Sequence, residues 1–262
     1  MVMRRLGGPG MHGVGGVPLS SMGGGALGTY AGKMLGYGPI AYWPLWEKSG
    51  TTAVCLVNSA QNGTYRNDVG AQDVSLWPTG AGIGDGNPAP YFNSNYRVDV
   101  YSAAFNAAYN QPECTVCGWA KVDAGVWTDG NARTTFFFYV DGNNTLHLQR
   151  GANNINTFKE EANGTNKFVN ITPGPSLEWW HWAITVSESA DEIKVYLNGT
   201  QEGATVNGLG AWAGPLSNTN TIIGHISTTS ATLTSNWLGY IAHVAVFDSP
   251  LAQPVIANLA TV

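Results

Sequence analysis

The chain has 262 residues, 44% of them hydrophobic and ten of them Trp, enough for one large domain or one domain with an appendage. Only 11% are charged and the formal net charge is −5, so no concentrated basic surface is available for a nucleic-acid partner. No run of about 18 apolar residues offers a membrane-crossing helix.

Residues 1–38 differ from the rest. Gly7-Gly8, Gly15-Gly16 and Gly23-Gly24-Gly25 alternate with Pro9, Pro18 and scattered apolar residues, and neither helical nor strand periodicity is visible. Glycine loses the most entropy on ordering, so such a segment does not fold by itself. It reads as an extended arm that contacts an assembly neighbour or folds back over its own domain. Met3, Leu6, Met11, Val14, Val17, Leu19, Met22, Leu27, Met34 and Leu35 would be its anchors. Arg4-Arg5 is followed by glycines and not by an apolar stretch, which predicts synthesis in a cytoplasm without a secretory leader.

Residues 39–262 read as one all-β domain, with short strands between Gly, Asn and Asp turns. Strands are predicted at 96–100, 115–121, 135–140, 145–150 and 166–171. A short helix is expected at 102–109, capped by Ser102 with Phe105 and Tyr109 at i, i+4, and another near 253–259. Trp180, Trp182, Ile184 and Val186 alternate with His181, Ala183 and Thr185, and Ile193, Val195 and Leu197 alternate with Lys194, Tyr196 and Asn198. Asn198-Gly199 then supplies a tight turn. Cys114 and Cys117 fall on opposite faces of one strand, about 10 Å apart, so they cannot pair. With Cys55, they read as buried thiols.

Taken together, the opening Ala41-Tyr42-Trp43-Pro44-Leu45, the strand Thr115-Val116-Cys117-Gly118-Trp119 and the hairpin Trp180-His181-Trp182 to Leu197-Asn198-Gly199 are familiar in order and wording. So is the closing Gly239-Tyr240-Ile241-Ala242-His243-Val244. Over roughly residues 41–260 the chain resembles the laminin-G-like branch of the concanavalin A-like jelly rolls. The resemblance implies an antiparallel β-sandwich carrying an extended Gly-rich N-terminal arm. It also implies two site chemistries, both of which this chain departs from. Jelly-roll glucanases carry a Glu-x-Asp-x-x-Glu array on one strand. The nearest stretch here, Glu188-Ser189-Ala190-Asp191-Glu192, has other spacing and reads as a hairpin turn. Where relatives often hold calcium through Asp, this chain has Cys55 and Ala242-His243, so calcium is disfavoured and no cofactor is expected. His243, placed on one face with Trp237, Ile241 and Phe247, and His181 read as hydrogen-bonded core histidines.

Trp127 beside Asp129, Trp77 and Trp212 occupy loop-like contexts, where they either stack on sugar rings or plug the ends of the sandwich. In finer wording, residues 126–130, 208–214 and 239–245 resemble laminin-G-like proteins of tailed bacteriophages and prophages. That resemblance implies a non-enzymatic virion protein, a capsid decoration or tail-associated component, made in the host cytoplasm and docked through its arm. Its partners would be capsid or tail proteins and copies of itself. A carbohydrate-binding module for a host-surface glycan is the alternative, and a jelly-roll glycoside hydrolase a more distant one. Docking through the arm predicts that a chain lacking residues 1–35 still folds.

Overall fold

The computed structural model describes residues 29–67, 72–73, 79–93, 96–126, 129–151, 156–171, 177–226 and 235–262. Strands β1 (Ala41–Trp43), β2 (Thr52–Ala53), β3 (Gly63–Asn67), β4 (Gln72–Asp73), β5 (Thr79–Ala81), β6 (Pro88–Asn93) and β7 (Tyr96–Asp99) precede a short helix. After it come β8 (Glu113–Val122), β9 (Arg133–Asp141), β10 (Asn144–Arg150), β11 (Asn156–Ala162) and β12 (Thr165–Ile171). The last are β13 (Trp180–Ser187), β14 (Glu192–Leu197), β15 (Thr200–Val206), β16 (Thr221–Ile223) and β17 (Leu238–Phe247). Helices α1 (Thr29–Gly36), α2 (Ala103–Ala108) and α3 (Gln253–Leu259) complete the set.

The strands form two antiparallel sheets. The first runs β15-β14-β13-β8-β17-β6-β5, with β1 beside β17. The second runs β12-β11-β10-β9-β16-β7-β3-β2, with β4 beside β3. Alternation decides which side chains lie between them. Trp180, Trp182, Ile184 and Val186 from the first sheet meet Phe136, Phe138, Leu146, Leu148 and Phe158 from the second in one core. Trp182 stacks on Phe136 at 5.0 Å, with 9° between the rings. Gly118 makes room for it, since a Cβ there would lie 2.8 Å from the indole. Cys114 faces this core and Cys117 the opposite side, as the strand period requires.

The outer face of the first sheet is also apolar. Cys117, Trp119, Ala183, Tyr196, Ala245 and Phe247 form a second cluster beneath α1 and α3. This corrects the reading of residues 1–38. Residues 1–28, with the proposed anchors Met3 to Leu27, lie outside the described residues. The last turns of the supposed arm are a helix whose Tyr30, Ala31 and Met34 are fully buried against their own domain. Met34 is therefore a core side chain and Leu35 packs at the edge of the same cluster. The described fold begins by residue 29, so a chain lacking residues 1–35 would lose most of α1 and the cover it gives the outer face of the first sheet. Gly32 and Gly36 weaken intrinsic helicity, so packing, which no local period reveals, makes this helix.

The remaining helices follow their signals. The Ser102 hydroxyl accepts from the Phe105 amide at 2.9 Å and caps α2, and α3 begins with Pro at its N-terminal turn. Asn198 and Gly199 both have positive φ, 46° and 83°, as a two-residue hairpin turn demands.

Candidate functional site

Of the residues proposed as a sugar platform, Trp212 and Asp129 are among the described residues, and these two lie apart. Trp77 and Trp127 lie outside the described residues. Asp129 pairs with both Arg133 and Arg150, whose guanidinium groups are buried. Burial opposes its ionisation, but hydrogen bonds from Arg133, the Asn131 amide and Arg150 hold the carboxyl far below the usual range. Trp212 is half-buried, packs on the core and meets Tyr109 edge-on at 6.4 Å. The Ala213 amide beside it donates to Asn144 Oδ1 at 3.1 Å. Trp212 thus sits at the Asn144 end of β10 and Asp129 at the Arg150 end, roughly 20 Å apart at about 3.3 Å per residue. Trp212 packs on the core and Asp129 bridges two arginines.

The histidines separate. His243 is buried with φ of 54°, at a bulge where β17 slips against β8 between Ala242 and Ala245. The bulge breaks the alternation, so Ile241 faces the inter-sheet core while Phe247 faces the outer cluster. The shared face expected for them does not exist. His243 is hydrogen-bonded, Nδ1 to the Tyr42 hydroxyl at 2.7 Å and Nε2 to Asp85 Oδ2 at 3.2 Å. Burial of Asp85 works against its charge, yet hydrogen bonds from His243 and Asn87 bring its carboxyl down to about 2. His181 is different. It is fully buried against Trp119, with neither ring nitrogen partnered. Burial, with Lys33 nearby, drives its pKa to about 3, so it is a neutral core ring without the expected hydrogen bonds.

Carboxylates are committed elsewhere. Asp191 turns the chain from β13 to β14 and accepts from the Gly208 and Leu209 amides at 2.8 and 2.7 Å. Glu160 lies 2% exposed between the sheets, accepts from Gln111 at 3.3 Å, and is pushed up to about 7 by burial. Among the described residues, no group of three or more His, Cys, Asp or Glu side chains could hold a metal. No helix among them is long and apolar enough to cross a membrane.

Strand register on the outer face of the second sheet assembles what periodicity did not reveal. Ile222 pairs with Phe137, Phe137 with His147, His147 with Lys159 and Lys159 with Phe168. A neighbouring row brings together Tyr139, Thr145, Glu161 and Asn166. Phe137 and Tyr139 stack at 5.5 Å and His147 lies 5.3 Å from Phe137. Lys159 donates to Glu161 at 2.7 Å and Asn166 Nδ2 to the same carboxylate at 3.0 Å. His147 Nδ1 and Thr145 Oγ1 have no protein partner but are buried, as are Phe137 and Glu161, so Tyr139, Lys159, Asn166 and Phe168 form the accessible part of this face. Burial and Lys159 bring His147 to about 3, so it is neutral. Phe168, at the outer end, is 56% exposed. Apolar rings interleaved with neutral donors and acceptors suit a polyhydroxylated ligand, whose C–H faces stack while its hydroxyls hydrogen-bond.

A model of the laminin-G type, described as the Concanavalin A-like lectin/glucanases superfamily, matches residues 92–257. The chain belongs to that superfamily. No curated protein matches the sequence. The superfamily chain is similar in fold to domain 4 of AbnA, an extracellular arabinanase of Geobacillus stearothermophilus solved with arabinotriose. That pair has 15% identity and a TM-score of 0.59, covering 85% of this chain and 98% of that one. It is also similar to the receptor-binding domain of a botulinum neurotoxin C/D mosaic serotype, with 15% identity and a TM-score of 0.60. Here 85% of this chain and 50% of that one are covered. A Trypanosoma rangeli sialidase in complex with the inhibitor DANA has 9% identity and a TM-score of 0.55, covering 84% and 32%.

Proposed function

We propose that this protein is a non-enzymatic glycan-recognition module that serves as a structural component of a bacteriophage particle. The observation that carries the glycan reading is the outer face of the second sheet. There Tyr139, Phe168 and Asn166 stand with the Lys159–Glu161 pair above the buried Phe137, Thr145 and His147, while the Arg66–Asp99 and Arg97–Asp99 pairs lie further along the same sheet beside Ile222. The arabinanase domain solved with arabinotriose lends support by analogy of fold. The virion reading, as a capsid decoration or tail-associated protein, rests on the phage-like wording of residues 126–130, 208–214 and 239–245 and on the sparse charge. A host-surface glycan is then the ligand, and capsid or tail proteins the neighbours.

Binding of the purified protein to an array of neutral bacterial and plant glycans tests the first part. Phe168→Ala and Tyr139→Ala should each weaken retention by at least fivefold without changing the thermal midpoint. A flat array with folded protein, or unchanged retention in both variants, overturns it. Co-sedimentation of the protein with purified phage particles tests the second part, and its absence from them overturns that assignment.

A further inference from the structure

We propose that a cavity on the opposite side of the sandwich, beside α3, binds a neutral saccharide of one or two rings. It measures about 360 Å³, at the small end of the range for ligand sites. The outer faces of β13, β14 and β15 form its floor, and the 250–253 segment leading into α3 forms its wall. Leu251 with Pro250 and Ala252 supplies the apolar surface, and Glu192, Lys194, Gln201 and Gln253 stand around them.

Hydrogen-bonding capacity identifies the ligand. Lys194 donates to one oxygen of Glu192. An ammonium has three N–H groups and a carboxylate two oxygens, so donors and an acceptor remain side by side. Gln201 spends its amide N–H groups on Gly203 and Thr205 at 3.3 and 3.4 Å and keeps its carbonyl oxygen for a ligand. A donor beside an acceptor is the complement of a vicinal diol: one hydroxyl donates to Glu192 while its neighbour accepts from Lys194. The two charges cancel, so an acidic or basic sugar finds no unpaired partner here. A pyranose can meanwhile lay a C–H face on Leu251. The cavity and the aromatic rows lie on different sheets, so neither site depends on the other.

The test is a ¹H–¹⁵N correlation titration of the full chain with cellobiose, lactose and maltose, and with N-acetylneuraminic acid as the charged comparison. At least one neutral disaccharide should shift the resonances of Lys194, Gln201 and Gln253. Gln253→Trp, which fills the cavity from an exposed position, should abolish those shifts, and Gln201→Ala should weaken binding at least fivefold. Should Gln253→Trp fail to fold, Lys194→Met decides, with the same loss expected. The inference is overturned if no neutral disaccharide moves these resonances, if shifts are confined to Phe137, Lys159 and Phe168, if the charged sugar alone binds, or if the variants bind as the parent does.

Discussion

Helix α1 is joined to the sandwich by the packing of Tyr30, Ala31 and Met34 and by Lys33 hydrogen bonds to Asn258 and Thr261. One buried hydroxyl also joins it, and Tyr30→Phe removes that group alone. Tyr30 Oη accepts from Trp119 Nε1 at 2.7 Å and donates to the Leu259 carbonyl at 2.8 Å, linking α1, β8 and α3. The ring keeps its contacts in the variant, 4.8 Å from His243 and 6.1 Å from Trp119. The loss is therefore of hydrogen bonds and not of packing. A buried indole N–H left without an acceptor costs about 1–3 kcal/mol, and the carbonyl about 1 kcal/mol more. The sum, about 2–4 kcal/mol, corresponds to a fall in thermal midpoint of about 5–15 °C for a chain of this size. Urea unfolding should show a lower midpoint with an unchanged slope. Tyr37→Phe, at an exposed position just beyond α1, should change nothing. Truncation gives the companion result. Removing residues 1–28 should leave the midpoint in place, whereas removing residues 1–36 should lower it, because Trp119, Tyr42 and His243 lose their cover. A loss below about 0.5 kcal/mol for Tyr30→Phe, well under the expected range, would refute the claim that this hydroxyl helps hold α1 to the domain.

His181 is held neutral down to about 3, whereas an unfolded histidine titrates near 6.5. Above that value neither state binds the proton; as pH falls below it the unfolded chain does, so stability declines by roughly 2 kcal/mol at pH 5. His181→Met should flatten that part of the pH–stability curve. Glu160 acts in the opposite sense: its folded value of about 7 exceeds the unfolded one near 4.3, so stability is lost as pH rises between them. Glu160→Gln should raise the midpoint at pH 8 and leave it unchanged at pH 4, as measured by calorimetry. Asp129→Asn takes from Arg133 and Arg150 the carboxylate they share and should cost about 2–3 kcal/mol by urea unfolding, discounted for its partial exposure. Gly118→Ala would press a methyl onto Trp182 and Val244 and should cost about 1–3 kcal/mol in the same assay.

Local pattern by itself determined the sandwich. The alternation through Trp180–Val186 and Ile193–Leu197 places each side chain on the face it occupies, because a strand's period is 2 whatever lies beyond it. Ser102 announced α2 and the tight turn at Asn198-Gly199 closed a hairpin, since both are set by backbone hydrogen bonds within a few residues. Tertiary structure decided the rest. Helix α1 was hidden because Gly32 and Gly36 dilute its local signal and its stability comes from contacts with α3 and β8, far away in the chain. The face of His243 was misread because one bulge reverses the alternation after it, and a bulge is a property of the pair of strands and not of either alone. The candidate sites were least legible of all. Phe137, His147, Lys159 and Phe168 come from four strands and become neighbours through cross-strand register. Glu192 and Lys194 acquire a cavity only when the segment before α3 folds across them. Both depend on separations between residues that no period in one strand encodes.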